Sequence, residues 1–250
     1  TWYIGGEHGW DQDGGGTSDN YTTNVDEKYD HTSLDINGRM PAYTSGSTYY
    51  LVGDFVIDSS NEHLFPIAID DDWIFNGNGH TITYTDTSEW DGLFKLANDN
   101  YTFTVKNLTF DLYGAHLSNN DGCLFKESSS SITGCNITLS YCIVITSNGK
   151  KINQAGGGIA GDYFCYAGTC NVDNCDNGTS TSNALQIGDS DGGAGGLFGT
   201  NFCYGTTNDM TIEDCHNYGK MNVSGSRGIF AKYAFKQSTS ASSITIDGCS

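Results

Sequence analysis

Four of the nine cysteines recur at one place in a short repeated pattern, and thiols at a regular spacing could bind a metal ion. The pattern is a β-branched residue, two turn-like residues and then cysteine, and its cysteines are Cys135, Cys175, Cys215 and Cys249. The earliest copy, Val105-Lys-Asn-Leu108, has leucine at the same place. A zinc ion needs four side chains that converge on one point, and leucine can replace a packing residue but cannot replace a ligand. We therefore interpret the four cysteines as an inward-facing column of the core, and we expect no zinc site from them.

Cys165 and Cys203 lie in a second repeated pattern that suits a different chemistry. Each follows a leading apolar residue, Ile159 or Leu197, by six residues and stands between phenylalanine and tyrosine. If these segments stack as neighbouring units, their Cα atoms come within about 5 Å of each other, which suits a disulfide bond. The pattern predicts a Cys165–Cys203 disulfide between units, and a Cys165–Cys170 bridge within one loop is the alternative.

Two short acidic segments could bind calcium, because each places oxygen ligands two residues apart beside a flexible glycine. The candidate ligands are Asp11 and Asp13 before Gly14, and Asp189 and Asp191 before Gly192. Neither segment completes an EF-hand loop, and solvated acidic loops are commoner than calcium sites. Calcium is therefore left open as a cofactor, and no other cofactor is predicted.

The elements that would position these side chains are repeated β-strands. The first half of each repeat is glycine with a short apolar pair, whose leading residues are Leu93, Leu124, Ile159, Leu197 and Ile229. These residues are spaced by 31, 35, 38 and 32 positions, and such periods indicate stacked supersecondary units. The pieces are short, β-branched and alternating, and no stretch has a sustained helical period. The sequence predicts an all-β fold, a parallel β-helix of roughly six coils, with the leading apolar residues in one buried column.

Two segments near the start of the repeats resemble a known superfamily. STYYLVGDFVID at Ser47 to Asp58 and WIFNGNGHTIT at Trp73 to Thr83, together with the repeats, resemble right-handed parallel β-helix proteins of the pectin-lyase-like superfamily. The repeats, best seen in Gly195-Gly-Leu-Phe-Gly199, resemble the GLUG motif of large extracellular surface and adhesion proteins. The resemblance covers residues 47 to 250 and implies a right-handed coil. It leaves the chemistry open, because the superfamily contains both enzymes and structural proteins.

Enzymes of that superfamily depend on clustered charged residues. The resemblance implies acidic calcium ligands with an Arg or Lys base in a lyase, and two or three clustered Asp in a hydrolase. Asp70-Asp71-Asp72 is the one acidic run that could qualify, and it directly precedes Trp73, where a turn is expected. The hydrolase pattern also has a nearby His-Gly and a basic motif downstream, and neither is present. A polysaccharide lyase or hydrolase is therefore the less favoured alternative, and no catalytic residue is predicted.

The charge balance limits the partners of this chain. It has 30 acidic residues against 11 basic ones, and its formal net charge is −19. No basic patch can be assembled from so few cations, which excludes nucleic acid, acidic lipid and polyanionic sugars as partners. No apolar run approaches the ~20 residues that span a bilayer, so we expect no membrane insertion.

The cysteines and the Asn-x-Ser/Thr sequons favour a secreted glycoprotein, located extracellularly or at the cell surface. Asn100, Asn177 and Asn222 fall in segments predicted as loops, so they should carry N-linked glycans first, with Asn20 next. Asn107 is expected to hydrogen-bond backbone groups in a turn instead.

The chain divides into two parts. Residues 1–46 do not repeat, and we interpret them as an N-terminal cap or docking arm. Residues 47–250 are predicted to form the β-helix, which either continues beyond the printed sequence or is capped by a neighbour, because an open strand edge would template aggregation. These features favour a non-enzymatic structural glycoprotein, the subunit of a surface appendage or filament built from copies of itself or other chains. A cell-surface adhesin or carbohydrate-binding module is the alternative.

Overall fold

A computed structural model gives the fold of most of the chain. The described residues are 2–4, 10–11, 47–51, 53–59, 62, 65–86, 88–113, 115–147, 151–152, 156–187, 194–205, 209–220, 228–231, 233–235 and 243–250. Within these ranges, no helix has the length and apolar character that crossing a membrane requires.

The described secondary structure consists of short β-strands. In chain order they are β1 (Trp2–Ile4), β2 (Trp10–Asp11), β3 (Ser47–Leu51), β4 (Phe55–Ile57), β5 (Ile67–Ile69), β6 (Trp73–Asn76), β7 (Thr81–Tyr84), β8 (Glu89–Trp90), β9 (Phe94–Leu96), β10 (Thr102–Asp111), β11 (His116–Leu117), β12 (Thr133–Ile145), β13 (Lys151–Ile152), β14 (Ala167–Asp173), β15 (Asp176–Asn177), β16 (Gln186–Ile187), β17 (Asp209–Glu213), β18 (His216–Asn217) and β19 (Ile244–Asp247).

The largest sheet has 13 strands and is almost entirely parallel. Its main path runs β19, β17, β14, β12, β10, β6, β3, β1 and β2, so most strands pair with a strand one repeat away. Among the described strands, only β1 and β2 pair antiparallel, at the N-terminal edge. Parallel partners need a long crossover between them, and the repeat length supplies it. The chain is therefore an all-β protein built on a large parallel sheet, as the sequence predicts.

A second line of parallel pairing joins the Gly-apolar segments. After β5 and β9, it continues through single bridges that link Phe94, Phe125, Ala160, Phe198 and Phe230 in turn. Leu93, Leu124, Ile159 and Leu197 precede these bridges and are at most 1% exposed, while Ile229 is partly buried. The predicted column of leading apolar residues is in register throughout, and its burial is confirmed for all members except Ile229, which is partly buried.

A third line of pairing runs through β4, β7, the second halves of β10 and β12, β15 and β18. Strands β10 and β12 belong both to the main path, which is the first line of pairing, and to the third line, because each bends between the two at a residue in the left-handed conformation. Matching bends recur in register at Asn107, Tyr141, Asn174, Asp214 and Gly248, with φ of +53°, +53°, +50°, +49° and +65°. Glycine, asparagine and aspartate adopt this conformation most readily, which explains the turn-like residues of the repeated pattern.

The residue after each bend points into the core, and here one sequence prediction is wrong. Leu108 pairs with Cys142, not Cys135, and the register continues through Cys175, Cys215 and Cys249. Cys135 lies opposite Gly168 at an irregularity near the start of β12. The true copy was hidden because Tyr141 occupies the left-handed bend at this place. Ile132-Thr-Gly-Cys135 also contains a left-handed residue, Gly134 with φ of +72°, but this residue lies at the irregularity near the start of β12 and not in register with the other bends.

The main sheet packs its inner face through two further columns. Phe103, Ile137, Cys170, Met210 and Ile244 form one, and Val105, Leu139, Val172, Ile212 and Ile246 form the other. Aromatic rings fill the part of the core nearer the N-terminal strands, where Trp73 lies between Tyr49 and Phe103 with ring centroids 5.0 and 4.5 Å away. The core is therefore one continuous apolar cluster, in which each repeat covers the apolar face of the adjacent repeat.

Replacing Leu139 by alanine tests this stack. Leu139 is 0% exposed, so Leu139→Ala should lower the free energy of unfolding by about 2–5 kcal/mol. The control is Thr138→Ala on the opposite face of β12, which should cost less than about 1 kcal/mol. Equal losses in urea denaturation would contradict the assigned faces of the strand.

Candidate functional sites

Most of the predicted calcium and glycan positions fall where nothing can be said of their side chains. Asn20, Asp13, Asp189, Asp191 and Asn222 lie outside the described residues, and of Asp11 only the backbone in β2 is described. Within the described ranges, no group of three or more His, Cys, Asp or Glu side chains could hold a metal ion. Calcium binding by Asp11, Asp13, Asp189 and Asp191 therefore stays a prediction.

Asn177 was predicted to carry a glycan in a loop, and this prediction is wrong. Asn177 lies in β15 and is 0% exposed. Its Nδ2 donates to the Leu185 carbonyl oxygen and to Asn217 Oδ1, both at 2.8 Å, and its Oδ1 accepts from the Leu185 N–H at 2.8 Å. Every polar atom of the amide is used inside the protein, so a glycan there would break the third line of pairing. Asn100, by contrast, is exposed at a left-handed bend.

The corrected cysteine column is suited to packing rather than to reactivity. The Cys175 N–H lies 3.5 Å from the Cys215 sulfur, and Cys215 Sγ donates to the Glu213 carbonyl oxygen at 3.1 Å. Burial raises the pKa of the Cys175 thiol well above its ordinary value, and hydrogen bonding to Cys175 together with burial raises that of Cys215. Thiols that stay protonated are poor nucleophiles and poor metal ligands.

A separate group of three thiols lies where the sequence predicts a disulfide. Cys165, Cys170 and Cys203 are buried, and each of these thiols interacts with the other two. Cys165 and Cys203 have matching φ of +52° and +48°, and the Cys203 N–H donates to the Phe164 carbonyl oxygen at 3.2 Å. All nine cysteines are free thiols in this structure. Both bridges, Cys165–Cys203 and Cys165–Cys170, therefore stay open as predictions.

The acidic run before Trp73 has a structural role. The Thr102 N–H donates to Asp72 Oδ1 at 2.5 Å, which joins one repeat to the next. The same bond recurs from Thr133 to Asp99 at 2.6 Å and from Ser243 to Asp209 at 3.1 Å. Each carboxylate thus accepts a backbone N–H at the start of a strand. The expected turn at this run explains Asp72 without a catalytic role.

A shallow cleft of about 280 Å³ combines carboxylates with aromatic rings. It is lined by Glu62, Phe65, Tyr84, Ser88, Glu89, Trp90, Asp91 and Gly92. Glu62 Oε2 accepts from the Tyr84 hydroxyl at 2.8 Å and from the Ser88 hydroxyl at 3.0 Å. The sequence analysis did not find this cleft, because its residues come from separate turns that only the pairing of strands brings together.

The carboxylates of the cleft are engaged with the protein. Asp91 Oδ2 pairs with Lys126 Nζ at 2.6 Å, and its Oδ1 accepts from Ser118 at 2.5 Å. Burial by itself would raise the pKa of Asp91, but the bonds from Lys126 and Ser118 outweigh burial, so the pKa lies below its ordinary value. A carboxylate that is deprotonated and paired with a lysine has no proton to donate, so it cannot serve as a general acid. The cleft can accept hydrogen bonds beside apolar rings, but Asp91 is unsuited to protonating a leaving group.

Two buried carboxyl groups, which the sequence patterns do not single out, have raised pKa values. Burial raises the pKa of Asp121 to about 6 and that of Asp162 to about 6. Asp162 Oδ1 accepts from the Tyr163 N–H at 2.8 Å and from Asn201 Nδ2 at 3.0 Å. Asp121 Oδ1 accepts from the Glu127 N–H at 2.6 Å. Each lies beside a glycine in the sequence, and no local pattern shows its burial, which depends on neighbouring repeats.

The last described strand leaves an apolar surface uncovered. Ile244 and Ile246 in β19 are 40% and 45% exposed. Their counterparts one repeat earlier, Met210 and Ile212, are 2% and 0% exposed. The difference arises because no described strand pairs with the outer edge of β19. This end of the sheet is the most prominent candidate contact surface.

Comparison with known proteins identifies no relative: no family model, no curated protein and no solved structure matches the chain.

Replacing Asp162 by asparagine tests the buried carboxyl. A carboxyl whose folded pKa is raised stabilises the protein below its unfolded pKa, and this stabilisation is lost as the pH rises through about 6. Asp162→Asn keeps an oxygen acceptor but cannot ionise, so it should raise Tm at pH 7.5 by about 2–4 °C and leave Tm unchanged at pH 4. The control, exposed Asp70→Asn, removes the same charge and should change Tm little at either pH. A Tm gain of equal size at both pH values would contradict the assignment.

Peptide mapping without reductant tests the thiol group. Material that folds under oxidising conditions should yield a Cys165–Cys203 peptide, and its reduction should lower the free energy of unfolding by about 3–4 kcal/mol. Cys203→Ser should remove this difference, whereas Cys249→Ser should preserve it. Recovery of a Cys165–Cys170 peptide would show that the bridge lies within one repeat.

Proposed function

We propose that this chain is a right-handed parallel β-helix with a structural, non-enzymatic role, as the subunit of an extracellular appendage or filament. Three lines of parallel pairing that join successive repeats support the β-helix. A crossover between parallel strands of one sheet is right-handed in nearly all proteins, which supports the handedness.

We further propose that the chain is secreted or held at the cell surface and that Asn100 carries an N-linked glycan, since its side chain is exposed.

The observation that carries this proposal is the uncovered strand β19. In earlier repeats, the two columns that end at Ile244 and Ile246 are buried by the next strand. An open parallel edge with exposed apolar residues is a template for another strand. A parallel strand placed on β19 would bury both isoleucines and satisfy the edge, whether it comes from further residues of the same polypeptide or from a neighbouring chain, and the proposed assembly uses a neighbouring chain.

The opposite end of the sheet has a different surface. There β2 pairs antiparallel with β1, so a strand of only two described residues lies at the edge. Since the two ends are unlike, contact between the ends of successive copies is heterologous, and a heterologous contact can repeat without closing. The net charge of −19 opposes such contact, so salt that screens the charge should promote it.

Association of the purified protein tests the proposal. Light scattering coupled to size-exclusion chromatography should show a mass that grows with protein concentration and with NaCl from 20 to 300 mM, a range over which screening lengths shorten severalfold. The double variant Ile244→Lys/Ile246→Lys should remain monomeric because it places charges on the uncovered surface. Thr245→Lys, on the other face of β19, is the matched control and should associate like the parent.

Two results would overturn the assembly role. One is a monomer under every condition, and the other is association that the double lysine variant leaves unchanged. Circular dichroism of the variants ensures that a loss of association is not a loss of folding.

A further inference from the structure

Two repeats place tyrosine rings side by side on the surface. The segments Tyr163-Phe-Cys-Tyr166 and Asn201-Phe-Cys-Tyr204 occupy the same position in successive repeats. The Phe164 and Phe202 rings are 0% exposed and lie near-parallel with centroids 6.1 Å apart. The tyrosines are only half-buried, so the phenylalanines pack the core while the tyrosines line its outside.

The tyrosine rings are contiguous from one repeat to the next. The Tyr163 and Tyr166 centroids lie 5.8 Å apart at 47°, and the Tyr166 and Tyr204 centroids lie 5.8 Å apart at 25°. Near-parallel rings at this separation are laterally offset rather than stacked face on face. Tyr163, Tyr166 and Tyr204 therefore form a row, which we call the tyrosine row.

The surroundings of the tyrosine row are negatively charged. Glu127 and Asp162 act on the Tyr163 hydroxyl, and burial together with these carboxylates raises the pKa of Tyr163. Asp162 is held beside Tyr163 through its bond to the Tyr163 N–H. The whole chain adds to this field, since its net charge is −19.

We propose that the tyrosine row binds a basic polypeptide segment through its guanidinium groups. A guanidinium stacks on aromatic faces and is attracted by their negative quadrupole. The carboxylates beside the rings supply the charge complementarity that steers such a partner and fixes its register. Offset rings in a row accommodate planar groups from successive basic residues, and the negative field repels acidic chains.

Fluorescence anisotropy with a labelled (Gly-Arg)₄ peptide tests this surface in 150 mM NaCl. The intact chain should bind this peptide more tightly than (Gly-Lys)₄ and should not bind (Gly-Ser)₄. Tyr166→Ala/Tyr204→Ala should weaken binding by about fivefold or more. Each half-buried ring that stacks on a guanidinium contributes less than the tenfold in affinity that corresponds to 1.4 kcal/mol, and the double variant removes two such rings. Tyr166→Phe/Tyr204→Phe keeps the rings and should bind within about twofold of the parent.

Two further variants keep the test decisive. Tyr113→Ala removes a tyrosine that is 47% exposed elsewhere, and it should leave binding unchanged. Glu127→Gln removes one charge without removing a ring, and it should weaken binding even if the double alanine variant folds poorly. Equal binding by the parent, the double alanine variant and Glu127→Gln would show adsorption by net charge alone and overturn the proposal. Retention on a neutral polysaccharide that depends on Tyr166 and Tyr204, with no affinity for (Gly-Arg)₄, would also overturn it and assign the row to a glycan.

Discussion

Parallel backbone hydrogen bonding between successive repeats is the constraint on which the rest of this structure depends. A single repeat exposes an apolar inner face and unpaired backbone groups, and only the next repeat can cover both. Registers are kept by residues in the left-handed conformation, such as Asn107 and Asn174, which bend the chain at the same place in each repeat. Differences in repeat length are absorbed in the loops between the lines of pairing, so the columns stay aligned.

The same constraint explains why many polar residues that could do chemistry are structural. Asp72 accepts an N–H from the next repeat at Thr102, and Asn177 joins Asn217 inside the third line of pairing. Buried polar groups need partners, and in a stack of short strands the nearest partner is usually one repeat away. Interaction surfaces are thus left to the faces that stacking does not use, which are the end strand and the outer corners.

The sequence predicts the general fold well because the spacing of glycine and apolar residues is a local signal of the stacking period. It predicts the column that begins at Leu93 but misplaces Cys135. The bend that precedes the cysteine of the column in β12 falls on Tyr141, a residue that does not signal such a bend, whereas Gly134 before Cys135 bends the strand at a place out of register with the column. The sequon at Asn177 misleads for a related reason, since a three-residue motif carries no information on burial by distant repeats. The raised pKa of Asp162 and the tyrosine row likewise depend on neighbours about one repeat away in sequence.

The register of the main sheet can be measured directly by interstrand nuclear Overhauser effects in selectively labelled protein. We expect backbone contacts of Val172 with Leu139 on one side and with Ile212 on the other. Contacts of Val172 with Ile132 instead would place Cys135 opposite Cys175 and contradict the register. Absence of contacts between Val172 and Ile212 would contradict the stacking of repeats itself.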